Sequence, residues 1–391
     1  MGKFDEIQKI IKKLPPSFTT EVVELKNALG RVLQEDIFAD ADMPAFQKSA
    51  VDGYACHFED VANPLEVREV ITAGMVPSKT VGKNQCSKIM TGAVVPAGCD
   101  CIFMVEDAEI DTENQVRCTN PATKKNILFR GEDYRSGEKL IAKGTIIQVS
   151  QMAVLAGVGK TKITVSTLPK IALIATGSEL VEPSEVPSEG KIRNSNASQI
   201  MAQLQKMNLP VNYIGLAKDD FEALTQLFQQ VLETHDFVIF TGGASVGDFD
   251  FIPEILKQQG FTIFWDRTGI KPGNPMTFSQ KGEKYVFGLS GNPVSSLVQL
   301  ELIAKPAIYR LIGANYKPFR IKAPLSFKYR QRKADRLILV PVIINTDGLV
   351  EAIPFNGSAH INVLVYANAL MEIQVEQTEI NKGDLAYVRP L

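Results

Sequence analysis

Ile171-Ala-Leu-Ile-Ala-Thr176 is an unbroken apolar run that stops at Gly177-Ser-Glu179. A short run of this kind, with no polar alternation and closed by a glycine, reads as a strand buried on both faces. Working outward, Asn196 to Met207 has helical spacing, Val211 to Leu216 is a second strand and Phe221 to Leu232 a second helix. Phe237-Val-Ile-Phe240 is the next strand and runs straight into Thr241-Gly-Gly243. Strands alternating with helices impose right-handed crossovers and a parallel sheet covered on both sides, so the expected unit is a three-layer α/β domain.

The flanks have other textures. Phe4 to Leu14 is helical and ends at Pro15-Pro16, and Glu21 to Phe38 is expected to be a further helical stretch. From Met43 to about Gly137 short alternating runs are punctuated by glycines and prolines, the pattern of a small all-β unit. Residues 138–168 carry short strands and the brief apolar segment Val149 to Gly157. After Pro318 the chain is β-rich to its end, with a turn at Asn345-Thr-Asp-Gly348. The whole is therefore expected to be multidomain α/β plus β, and 391 residues accommodate about two to four units.

Composition excludes several classes. A hydrophobic fraction of 45% beside 22% charged residues is that of a chain able to bury large cores. No apolar run approaches the roughly 20 residues that cross a bilayer, and Met1 to Lys13 is amphipathic rather than a signal segment, so a cytoplasmic location without a membrane partner is expected. A net charge of -2 with scattered Lys and Arg gives no stripe for nucleic-acid phosphates. The five cysteines lie in the first third and are odd in number, which argues against a disulfide framework. Cys99-Asp-Cys101 has no second Cys/His pair at zinc-finger spacing.

Ligands of open α/β sheets bind beyond the carboxyl ends of the strands. Three glycine-rich loops are expected there: Ala175-Thr-Gly-Ser-Glu179, Thr241-Gly-Gly-Ala-Ser-Val-Gly-Asp-Phe-Asp250, and Gly288-Leu-Ser-Gly-Asn-Pro-Val-Ser295, the last leading into a helix near Val294. Glycines let backbone N–H groups approach an anion, and a helix N-terminus adds partial positive charge. None of the three matches a phosphate-loop or dinucleotide fingerprint, which disfavours ordinary ATPase and NAD chemistry. Glu179, Asp219, Asp220, Asp248 and Asp250 fall near the same strand ends, where acids beside an anion cradle suit Mg²⁺, although loop aspartates are equally common as turn formers. Lys271 stands in the stiff turn Ile270-Lys-Pro-Gly-Asn-Pro275 as a point charge for phosphate or another oxyanion.

Together these segments resemble the molybdopterin molybdenumtransferase family, the MoeA-like proteins related to the C-terminal domain of gephyrin. The resemblance runs through Ser49-Ala-Val-Asp-Gly-Tyr-Ala55, Met90-Thr-Gly-Ala93, Arg130-Gly-Glu-Asp133, Thr176-Gly-Ser-Glu-Leu180, Gly242-Gly-Ala-Ser-Val-Gly-Asp248, Lys271-Pro-Gly273 and Gly291-Asn-Pro-Val-Ser295. Gly357-Ser358 and Ala367-Asn-Ala-Leu370 extend it towards the end of the chain. It implies a discontinuous helical linker domain (1–43 and 137–168), an inserted β domain (44–136), an α/β molybdopterin-binding domain (169–317) and a C-terminal β-barrel-like domain (318–391). It also implies a homodimer whose site joins the α/β domain of one subunit to the β-domain motifs of the other.

The reaction implied is insertion of molybdenum from molybdate into adenylylated molybdopterin, with release of AMP and help from Mg²⁺. Carried over by position, Asp52, Thr91, Asp133, Glu179 and Lys271 are the implied catalytic residues, and Asp219 and Asp250 the implied Mg²⁺ ligands. Gly242, Gly243, Ser245, Gly291, Asn292, Pro293 and Ser295 are implied to cradle the pterin nucleotide, with Arg336 and Ser358 reaching molybdate from the terminal domain. Implied protein partners are a pterin adenylyltransferase and molybdoenzyme chaperones. Three positions depart from the family pattern: Asn274 replaces a second lysine, Ser290 a proline and Ser178 an acid. Two other readings compete with insertion, a non-catalytic pterin scaffold, favoured by the charge lost at Asn274, and adenylylation of the pterin by the α/β domain.

Overall fold

The computed structural model describes residues 2–112, 114–120, 122–243 and 251–391. The chain forms two compact units, one of Met1–Glu35, Lys143–Val149 and Lys162–Leu391, the other of Asp36–Ala142 and Ser150–Thr161.

In the first unit, the expected α/β domain is built on a six-stranded sheet in the order Val211–Ala217, Ile171–Thr176, Phe237–Thr241, Lys284–Leu289, Pro275–Lys281, Thr262–Arg267. Its first four strands are parallel, as the strand–helix alternation requires. The last two are antiparallel, so the sheet is mixed and not wholly parallel. The reason is local: Gly282, at φ +58°, closes a tight hairpin between Lys281 and Lys284 where no helix intervenes.

Both faces are covered. Ile171 and Leu173 point to one side with Ala197, Ile200 and Leu204 of the Ser195–Lys206 helix. Ala172 and Ile174 point to the other with Leu224, Phe228 and Val231 of the Phe221–Thr234 helix and Ile252, Ile255 and Leu256 of the Ile252–Gln258 helix. Period-2 alternation inside an all-apolar strand thus feeds two cores, each Leu, Ile, Val or Phe side chain contributing about 2 kcal/mol of burial. Asn194 caps the first of these helices by accepting from Ala197 N at 3.2 Å, and Asp220 caps the second by accepting from Ala223 N at 2.8 Å. Asp220 is thereby a cap, the turn-forming alternative.

Elsewhere in this unit the Lys3–Lys13 helix forms as expected and buries Ile7 and Ile11. The segment from Glu21 to Phe38 forms no α-helix, only the single 3₁₀ turn Leu25–Asn27. Thr20–Glu24 is a strand paired antiparallel with Lys162–Ser166, and Gly30 at φ +76° breaks any helix beyond it. The β-branched pair Val22-Val23 finds a cross-strand partner that helical propensity does not foresee. The terminal sheet has the order Ile270–Lys271, Leu337–Ile344, Ala369–Ile373, Leu385–Pro390, Ile321–Pro324, with Val350–Ala352 added to Leu337–Ile344. Its edge strand, Ile270–Lys271, comes from the α/β segment of the sequence.

The second unit contains a six-stranded sheet ordered Cys101–Met104, Gly53–Cys56, Gln85–Ile89, Leu65–Ile71, Gln115–Cys118, Ala108–Thr112. Cys56 faces Cys86 on one neighbour and Cys101 on the other, all three buried as free thiols, and burial pushes the Cys86 thiol up to about 12. Among the described residues no helix is long and apolar enough to cross a membrane.

Candidate functional site

Four parallel strands end together at Thr176, Ala217, Thr241 and Leu289, so their following loops share one edge of the sheet. Gly242 sits at φ +92°, and a Cβ there would lie 2.2 Å from the carbonyl oxygen of Thr176. Only glycine allows that approach. Gly291 packs against it, 3.6 Å separating its ideal Cβ position from the Cα of Gly242. Asn196, at the start of its helix, ties these loops together by donating to Thr241 Oγ1 at 3.0 Å and to the Gly291 carbonyl at 2.8 Å.

A second polar bolt is the fully buried Gln299. Its Oε1 accepts from Ser290 N at 2.8 Å, and its Nε2 donates to the carbonyls of Gly273 at 3.0 Å and Pro275 at 2.5 Å. The glycine-rich loop after Leu289 is thereby linked to the turn carrying Lys271. In that turn Asn274 Oδ1 accepts from Gly269 N at 3.0 Å, and its carbonyl accepts from Thr268 N at 2.8 Å. Asn274 holds the turn with its side chain where a lysine would add charge.

These elements enclose a cavity of about 1320 Å³. Glu179, Asp219, Gly242, Gly243, Gly291, Asn292, Pro293 and Ser295 line it from the α/β domain, and Lys271, Arg336 and Ser358 line it from the terminal sheet and its loops. Lys271 and Arg336 become neighbours because Ile270 and Lys271 pair in parallel with Leu337 and Ile338. The Asp219 carboxylate is fixed through one oxygen, Oδ2, which accepts from Ser178 N at 2.6 Å and Ser178 Oγ at 2.7 Å. Lys191 in turn donates to the Ser178 carbonyl. An acid at position 178 would lack the hydroxyl and repel Asp219, whereas Ser178 supplies this carboxylate with two donors.

Among the described residues two buried polar atoms at the cavity have no hydrogen-bond partner, Thr176 Oγ1 and Arg336 Nε. Unsatisfied buried groups are rare and are what a bound polar ligand relieves. The helix Pro293–Gln299 offers less than its sequence suggests, because the amide of Val294 is already bonded to the Ser358 carbonyl at 3.0 Å.

Asp52, Thr91 and Asp133 belong to the other compact unit. There Asp52 Oδ1 accepts from Thr91 N at 2.6 Å and Thr91 Oγ1 at 2.9 Å, and these bonds hold the Asp52 carboxyl below its ordinary pKa. Asp133 is exposed. Ser245, Asp248 and Asp250 lie outside the described residues. Among the described residues no group of three or more His, Cys, Asp or Glu side chains converges as a metal site. Asn196 and Gln299 were not singled out by their sequence. The only signal was an amide on the inner face of an apolar helix, which by itself points to no partner.

Fold and cavity define a multidomain α/β protein with a large cavity at the carboxyl edge of its sheet. Three family models match in order along the chain: "MoeA N-terminal region (domain I and II)" over residues 3–159, "Probable molybdopterin binding domain" over 172–310, and "MoeA C-terminal region (domain IV)" over 322–391. The molybdopterin molybdenumtransferase of Staphylococcus aureus strain Mu50 is 36% identical over 379 residues, covering 94% of this chain and 90% of that protein. The same-named protein of Staphylococcus epidermidis strain RP62A is 38% identical over 378 residues with the same coverage. The crystal structure of the molybdopterin biosynthesis moeA protein from Pyrococcus horikoshii OT3 superposes with a TM-score of 0.80 at 29% identity, covering 100% of both chains. The chain belongs to the molybdopterin molybdenumtransferase family.

Proposed function

We propose that this chain transfers molybdenum from molybdate to adenylylated molybdopterin and releases AMP, as a Mg²⁺-dependent step of molybdenum cofactor biosynthesis. The observation that carries the reading is the pairing of two sources in one cavity: acids Glu179 and Asp219 from the α/β domain, cations Lys271 and Arg336 from the terminal sheet. The α/β loops suit the pterin nucleotide, with Gly242, Gly243 and Gly291 letting its phosphates approach the backbone, and Asn292, Pro293 and Ser295 opening the following helix. Lys271, Arg336 and Ser358 suit the molybdate oxygens, Arg336 with a buried Nε that has no hydrogen-bond partner among the described residues.

Mg²⁺ fits the donors present, because Ser178 occupies one oxygen of Asp219 and the other has no hydrogen bond among the described residues. When bound, the ion supplies charge neutralisation at phosphate oxygens, with Asp219 and Asp250 as its proposed holders. Lys271 would stabilise charge developing on the adenylate or oxyanion, and no protein nucleophile is needed.

Asp52, Thr91 and Asp133 are proposed to complete the site from a second copy of the chain, which makes the working form a homodimer in the cytoplasm. The division into a linker domain (1–43 and 137–168), an inserted domain (44–136), an α/β domain (169–317) and a terminal domain (318–391) belongs to the same proposal, as do adenylyltransferase and chaperone partners. The test is to give the purified chain adenylylated molybdopterin, molybdate and Mg²⁺ and to measure AMP and pterin-bound molybdenum. Both are expected, and Lys271→Ala is expected to lower turnover about a hundredfold. Pyrophosphate released from ATP and molybdopterin, without AMP release from the adenylylated pterin, would replace insertion by adenylylation.

A further inference from the structure

Beside the main cleft, a second cavity of about 540 Å³ lies between the first turn of the Lys3–Lys13 helix and the terminal β sheet. Five basic side chains reach it against three acidic ones, an excess of two positive charges. The first turn of the helix adds its own partial positive charge.

Each of the three acids has a partner: Asp5 accepts from Gly2 N at 3.3 Å and Asp335 lies 3.7 Å from Arg336 Nε. Glu372 is 3% exposed, and both its oxygens are occupied. Oε1 accepts from Arg389, while Oε2 accepts from Arg320 Nη1 at 3.4 Å and Gln374 Nε2 at 3.3 Å. Arg320 is further fixed by lying 4.3 Å over the ring of Tyr387. Glu372 therefore positions two guanidinium groups without using all their donors, since each carries five N–H groups. Arg267, exposed at the end of the Thr262–Arg267 strand, has no ion pair among the described residues. Fixed forks with spare donors are the chemistry that holds tetrahedral oxyanions.

The wall between this cavity and the main cleft contains Asn274 and Arg336, which line both. Asn274 is held by its bond to Gly269 N, whereas the buried Nε of Arg336 has an ion pair with Asp335 at 3.7 Å but no hydrogen-bond partner among the described residues. A guanidinium bordering two cavities, its Nε only ion-paired at 3.7 Å with the exposed Asp335, has further N–H donors to offer an oxyanion on either side.

We propose that the second cavity is a holding site for a small tetrahedral oxyanion, molybdate, which shares Arg336 with the main cleft; the choice of molybdate rests on the transferase reading above. Molybdate loaded here waits one side chain from the cavity in which it is used. Arg267, Arg320 and Arg389 make the site, and Arg336 is the residue common to both.

The test is equilibrium dialysis of molybdate against the full chain without pterin, with bound molybdenum counted by mass spectrometry. Two molybdates per chain are expected. Arg267→Ala should weaken one of them about tenfold, Arg267→Lys should restore most of that loss, and Ser358→Ala should weaken the other. A single site, or a second site indifferent to Arg267→Ala, overturns the proposal. A parallel arm with inorganic phosphate decides the ligand: phosphate binding this site more tightly than molybdate also overturns it. Turnover by the wild-type chain is measured in the same preparation. Turnover with one molybdate site removes only the holding site, and two sites without turnover remove only the transferase reading.

Discussion

Asp219, in the α/β domain, and Asp52, in the β unit, are held in the same way. In each, one carboxylate oxygen accepts both the backbone N–H and the hydroxyl of a single residue, Ser178 for Asp219 and Thr91 for Asp52. Their surroundings differ. Asp219 lines a cavity with Lys271 and Arg336, while Asp52 is exposed on its own unit. A local motif suffices to orient a carboxylate, but the charged cavity around Asp219 has to be assembled from segments distant in sequence.

The largest way to break that comparison is to collapse the cavity. Gly242→Ala places a Cβ against the Thr176 carbonyl and forces a left-handed backbone on alanine. A stability loss of roughly 2–4 kcal/mol and loss of AMP release are expected, read by denaturant unfolding and by assay. Wild-type turnover in this variant would show that the two loops do not form the cradle.

Gln299→Ala should come next. It strands the amide of Ser290 and removes a donor from the carbonyls of Gly273 and Pro275, the former still accepting from Thr268 Oγ1 at 2.7 Å, costing about 1–3 kcal/mol, and frees the Lys271 turn from the loop. The comparison then predicts a rise in KM for molybdate larger than that for the pterin. Equal rises would mean that the link carries stability alone.

Ser178→Ala sharpens the comparison directly, because it removes the hydroxyl and leaves the backbone N–H on Asp219. Stability should change by no more than about 1 kcal/mol, while the Mg²⁺ concentration for half-maximal AMP release and the Mg²⁺ affinity by calorimetry should both shift by roughly fivefold. Ser178→Thr should restore both, and an unaltered Mg²⁺ affinity in the alanine variant would sever Asp219 from the metal.

The smallest effect is expected at the matching pair in the β unit. The Asp52 carboxyl is held below its ordinary value of 3.8 by Thr91, so its stabilisation is present above that value and lost as the pH falls through the depressed one. Thr91→Ala should move the Asp52 titration, followed by carboxyl-carbon NMR, upward toward 3.8. An unmoved midpoint would show that the two bonds do not set its affinity for the proton.

Much of this was legible in advance where the signal is local. The strands at Ile171 and Phe237, the two helices between them and the glycines at 242 and 243 follow from runs, periodicity and turn chemistry. The stretch from Glu21 to Phe38 was misread as helix because its actual partner, Lys162–Ser166, lies more than a hundred residues away and leaves no mark on local spacing. The antiparallel edge of the sheet was missed because the sequence of one hairpin does not say which side of a sheet it joins. Asp220 shows the converse: two adjacent aspartates read alike, yet one caps a helix and the other is bonded to Ser178.

By itself, the amino-acid sequence determined the α/β core, the all-β texture of the segment before it, the glycines a close backbone approach demands, and through its ordered motifs the family. Those depend on neighbours a few residues apart, where backbone sterics and hydrophobic period act. Tertiary structure alone decided that Lys271 stands beside Arg336, that Asn196 and Gln299 bolt the loops, and that Arg336 borders two cavities. Each of these needs side chains from separate elements to meet, and the pairing of Ile270–Lys271 with Leu337–Ile344 is the contact that brings the cations to the edge where the sheet presents its acids.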